Sequence, residues 1–131
     1  MDENLKISVW KQFGAAIDCL EDTIAACPQS YWQASLWLTP TTRPEFSQFW
    51  YVAYHTLFWT DLYLLGDYKS FAPPPPFKRG VLPENPYPKE QIRAYLAACR
   101  SKCQATLEGL TDEQANRVCT FDWIEASYLE M

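Results

Sequence analysis

FWYVAYHTLFWTDLYLLG, residues 49–66, decides the fold. Nearly every position is aromatic or aliphatic, no Pro interrupts the run, and the chain's single histidine, His55, sits inside it. A run of this length without strand-like alternation reads as a helix that is apolar nearly all round, and such a helix belongs at the centre of a helical domain. Gly66 supplies its C-terminal stop. Its start is read further back, where Thr42 and Glu45 are spaced as a capping box and Pro44 falls in a first turn that needs no intrahelical donor. The expected second helix therefore runs from residue 42 to residue 65, the longest of the chain.

Upstream, Trp10, Phe13, Ile17, Leu20, Ile24 and Cys27 recur at steps of three and four, so a first helix spans about residues 5–27 and stops at Pro28. The Pro- and Thr-containing linker that follows is an ordered loop, with Tyr31, Trp32 and Trp37 expected against the core. Downstream, residues 67–88 hold seven of the ten prolines and can neither propagate a helix nor pair in a central strand. This is a long crossover, a stiff internal connector in preference to a ligand for a polyproline-binding module, and it allows consecutive helices to lie parallel. Helix 3 follows Pro88, with Ile92, Tyr95, Leu96, Cys99, Cys103, Leu107 and Leu110 on one stripe and an end at Gly109. Thr111 and Gln114 repeat the capping-box spacing for a short turn. Asp122 and Glu125 offer one more helix start, and the two turns read there, too few to close a bundle, imply a last helix cut short.

Composition narrows the function. With 131 residues, 48% of them hydrophobic, the chain suits one globular domain, 1–131. A net charge of −5 without a Lys/Arg cluster lacks the footprint of phosphate-backbone binding, so no nucleic-acid partner is expected. The N-terminus carries no secretory signal, and no apolar run reaches membrane-spanning length, so the expectation is a cytoplasmic protein without a membrane partner. Five cysteines, an odd number without a C-x-x-C pair, are read as reduced thiols.

Three groups carry candidate chemistry. His55 is either a packed imidazole among Tyr51, Val52, Phe58, Trp59 and Leu62, or a metal ligand. Asp61 cannot join it on one ion, because six residues place it about 120° round the helix and about 9 Å along; a contact at the helix's exposed edge or with the crossover is expected instead. Cys99 and Cys103, four apart, have the spacing to give zinc two thiolates with Cys119 as a third, but read better as small apolar core residues. Trp10, Trp37, Trp50, Trp59 and Trp123 are core or pocket lining.

The order of these elements, with "YHTLFWTDLYLLG" and "LEGLTDEQANR" as its most specific parts, resembles the DinB-like (DinB/YfiT) superfamily of metalloenzyme candidates. The resemblance covers essentially the whole chain. It implies an all-α four-helix bundle of up-down-down-up topology, with the fourth helix truncated here, a homodimer, and a small-molecule substrate. It also implies a divalent metal, Zn2+ or Ni2+, held by one His of the second helix and two of the fourth, and a low-molecular-weight thiol in an S-transferase-like reaction. His55 matches the second-helix ligand, and no other His exists to match the remaining two. Tight metal binding is therefore not expected of this chain alone, and no catalytic acid or base is assigned. The reading from a different class is a non-catalytic helical module that binds an apolar ligand or dimerises, with His55 structural.

Overall fold

The computed structural model describes residues 1–38 and 43–131. Three long helices carry it: α1 (Glu3–Ala26), α2 (Phe49–Leu65) and α3 (Lys89–Glu108). Asp2 opens α1 by accepting the backbone N–H groups of Asn4 and Leu5, at 2.7 and 3.2 Å. α3 is the middle helix, packing on both α1 and α2. Its buried stripe is the one read from the sequence: Ile92, Tyr95, Leu96, Cys99, Cys103 and Leu107. Each large apolar side chain sealed there contributes about 1.5–3 kcal/mol.

Side-chain contacts set the helix directions. Lys89, at the start of α3, donates to the carbonyl of Cys27 beyond the end of α1. Lys6, early in α1, donates to the carbonyl of Glu108 at 3.1 Å, so α1 and α3 are antiparallel. Trp50 and Tyr54 of α2 instead meet Tyr87, just before α3, with centroids 5.9 and 5.0 Å apart. Further along, Asp61 meets Tyr95 and Lys102, and α2 runs parallel to α3. The up-down-down order of the three helices follows, and the crossover 67–88 makes it possible by returning the chain from one end of the bundle to the other. Its own Phe71, Phe77 and Tyr87 are buried, which makes it an ordered internal connector.

Four expectations are corrected. First, α2 begins at Phe49, not at residue 42. Pro44–Ser47 is a 3-10 turn and Gln48 is extended, bridging Ser35. The free amides of Phe49 and Trp50 find the carbonyls of Ala34 and Trp32, both at 3.0 Å, so linker backbone replaces a side-chain cap. The expected Thr42–Glu45 box lies outside the described residues. Second, α2 is neither the longest helix nor the central one. It buries Trp50, Ala53, Tyr54, Leu57, Asp61 and Leu62, while His55 and Thr56 stay exposed. Third, of the linker aromatics only Trp32 is buried, its indole N–H donating to the Tyr87 carbonyl at 2.9 Å; Tyr31 and Trp37 are exposed.

Fourth, no helix starts at Asp122. After the short helix α4 (Asp112–Asn116), whose Thr111–Gln114 capping box forms as read, strands β1 (Val118–Thr120) and β2 (Glu125–Ser127) pair antiparallel. Cys119 and Phe121 point inward two residues apart, a strand period that overrides the helical cue. A capping box does form at Ser127 and Glu130, but it opens a single 3-10 turn, Tyr128–Glu130. This hairpin docks on the end of α2: Arg117 donates to the Leu65 carbonyl at 2.7 Å and the Tyr128 hydroxyl to that of Leu64. Those are carbonyls a helix C-terminus leaves without partners. Gly66, at φ 73°, ends α2 as expected.

Candidate functional site

His55 lies on the outer face of α2 between its neighbours one turn either side. Tyr51 stacks on the imidazole, 5.4 Å between centroids at 24°, and Trp59 meets it edge-on at 5.7 Å. The Trp59 indole N–H donates to Nε2 at 2.8 Å, which requires a lone pair there, so the neutral ring carries its proton on Nδ1. Partial shielding from water by these rings lowers its pKa below the usual histidine value. Of the packed imidazole's expected neighbours, Leu62 is turned away and sealed among Phe71, Cys119 and Phe121, while the His55 side chain is exposed.

Two cavities meet at this pair. The larger, ≈ 870 Å³, is an open groove between α1 and α2. Val9 and Phe13 form one wall, His55, Trp59 and Tyr63 the other, with Cys103, Leu107 and Leu110 beneath and Tyr128, Leu129 and Met131 at one end. Its lining is mostly apolar: the hydroxyls of Thr56 and Thr60 are spent on the carbonyls of Val52 and Thr56, both at 2.8 Å, and Ser8, Gln12 and Thr106 add a few polar groups. The smaller cavity, ≈ 560 Å³, lies on the other side of the pair, between α2, the crossover and Trp123.

Asp61 is not at an exposed edge. It is buried against α3, where its carboxylate accepts the Tyr95 hydroxyl at 2.9 Å and pairs with Lys102. The apolar stretch around it hid this role, although an acid inside a run of apolar residues is the available signal that it is buried with a partner. Cys99 and Cys103 are core residues, as read. Burial pushes the Cys99 thiol up to about 12, with the Asp61 charge adding to it, and raises Cys103 as well, so both stay protonated. Trp50 is core, Trp10 packs against it, and Trp59 and Trp123 line the smaller cavity; Trp37 is exposed.

The donor set does not fit a divalent metal centre. Among the described residues no three His, Cys, Asp or Glu side chains lie together in a metal-holding group, and the Nε2 lone pair of His55 is engaged by Trp59. One imidazole supplies neither the affinity nor the geometry of a bound ion.

An antiparallel α1 followed by parallel α2 and α3, joined by a long crossover and flanked by an open groove, makes an all-α helical bundle. The chain belongs to the DinB superfamily, whose family model matches residues 9–131. No curated protein and no solved structure matches it.

Proposed function

We propose that this DinB-superfamily chain is a binding module that takes an elongated, largely apolar small molecule in the groove between α1 and α2, with the His55–Trp59 pair as its polar rim. The observation that carries this reading is the groove itself: ≈ 870 Å³, walled by Phe13 and Trp59 and floored by Leu107 and Leu110. Small-molecule sites occupy about 300–1,000 Å³, with apolar walls and few polar groups. Titration with N-phenyl-1-naphthylamine, a neutral apolar fluorophore, tests it. One saturable site per chain is expected, weakened at least about tenfold by Thr60→Glu, which sets a charge on the groove wall. Equal binding by the variant overturns the reading. Sedimentation separates the homodimer alternative: if the fluorophore binds only as a dimer dissociates, a second copy is the natural occupant.

The second reading is the metal-dependent, S-transferase-like activity that the resemblance implies. It is favoured by the place of His55 on α2 and by an imidazole that burial keeps neutral, the form a metal requires. Beside His55 the described residues bring no two further ligands to one ion, so this reading needs ligands from a second molecule, such as a thiol or another copy of the chain. Elemental analysis and Zn2+ or Ni2+ titration of the protein and of His55→Ala test it: one ion per chain, lost in the variant, supports it, and equal metal content in both counts against His55 as a ligand.

A further inference from the structure

The cavity on the other side of the His55–Trp59 pair has a different chemistry. Its walls are aromatic: Tyr51, Phe58, Trp59, Tyr68 and Trp123. Lys78, Arg79 and Arg43 line it, while among the described residues no Asp or Glu does, in a chain whose net charge is −5. Arg79 is held in place, its guanidinium 3.5 Å over the Tyr68 ring and donating to the carbonyls of Tyr68 and Phe71 at 2.5 and 3.3 Å. Those carbonyls orient the cation without neutralising it.

Asp67, the acid beside Tyr68 in sequence, is turned into its own loop. It accepts the Lys69 N–H at 3.0 Å and the Ser70 hydroxyl at 2.6 Å. Lys78 is exposed and forms no salt bridge among the described residues. Two phenols complete the lining: Tyr51 and Tyr54 have no hydrogen-bond acceptor for their hydroxyls among the described residues, and burial raises the pKa of each, so both keep a proton to donate.

We infer that this ≈ 560 Å³ cavity binds a planar aromatic anion of the aryl carboxylate class, its ring among Tyr68, Trp59 and Trp123 and its charge toward Lys78 and Arg79. Aromatic walls reward a flat ring, and the cations of Lys78 and Arg79, with neutral O–H donors beside them, reward one negative charge. This goes beyond the groove reading and stands or falls separately from it, since it concerns other residues and another ligand.

The test is calorimetric titration with 2-naphthoate and with its neutral counterpart 2-naphthamide. 2-Naphthoate is expected to bind one per chain, more tightly than the amide, and to weaken as salt is raised. Lys78→Glu should weaken 2-naphthoate roughly tenfold and leave the amide unchanged. Tyr54→Phe keeps the ring, removes a donor, and should weaken 2-naphthoate about threefold. Thr60→Glu, on the groove wall, should leave 2-naphthoate binding as in the wild type. Equal affinity for the acid and the amide overturns the inference. So does wild-type 2-naphthoate binding in folded Lys78→Glu, or loss of binding in Thr60→Glu while Lys78→Glu retains it.

Discussion

At the scale of single residues, the imidazole of His55 does two things at once: it accepts the Trp59 indole N–H and stacks on Tyr51. The accepted N–H requires the neutral ring, and partial burial lowers its pKa in the folded state. Protonation therefore favours the unfolded chain, whose histidine titrates near ~6.5. The penalty is absent above that pH and grows as pH falls toward the lowered folded value. As the chain has one histidine, urea midpoints should drop between pH 7.5 and pH 5.5 in the wild type and stay nearly level in His55→Gln, which keeps an acceptor. A like drop in both proteins would assign the effect elsewhere. Asp61 is the other residue whose surroundings matter, and removing its Tyr95 partner with Tyr95→Phe should cost about 1–2 kcal/mol in chemical denaturation, because one buried charge-assisted hydrogen bond is lost without a cavity. His55 could be singled out from its uniqueness, and Trp59 from its position one turn on. The Asp61 partners could not, since they lie across a helix pair whose register only packing sets.

Among elements, α1 and α3 were readable because periodicity alone determines an amphipathic helix, and the stripe of α3 is buried residue by residue as spaced. α2 was readable at its end and not at its start. Gly66 is a local signal, whereas the beginning at Phe49 depends on carbonyls from the linker, a tertiary partner that no capping pattern announces. The hairpin β1–β2 was misread for a similar reason: its two short strands gain their stability by covering Leu62 and Phe71, not from local preference. The joint between α2 and this hairpin has little slack. A Cβ at Gly66 would lie 2.7 Å from the Arg117 guanidinium and 3.1 Å from the Cys119 sulfur, at a φ of 73° that L residues resist. Gly66→Ala should therefore lose at least about 1–2 kcal/mol, measured by thermal or urea unfolding, and free the hairpin from the end of α2. A variant as stable as the wild type would show that Arg117 and Cys119 yield without cost.

Across the whole molecule, burial separates the cysteines into two kinds. Cys19 is exposed, while Cys27, Cys99, Cys103 and Cys119 are buried. Ellman's reagent at pH 8 should titrate one thiol quickly in the native protein and all five in denaturant; several fast native thiols would mean a looser core. The topology is equally a property of the whole, and here the proline-dense crossover was the legible feature, since seven prolines leave the chain no way to return except as a connector. What no single stretch could convey is that one pair of side chains, His55 and Trp59, is a party wall between two neighbouring chambers. Guests in adjoining rooms are coupled only where each holds the shared partition differently from an empty room. If 2-naphthoate alters the affinity for N-phenyl-1-naphthylamine by some factor, the fluorophore must alter that for 2-naphthoate by the same factor, and Trp59→Ala should bring that factor to about one.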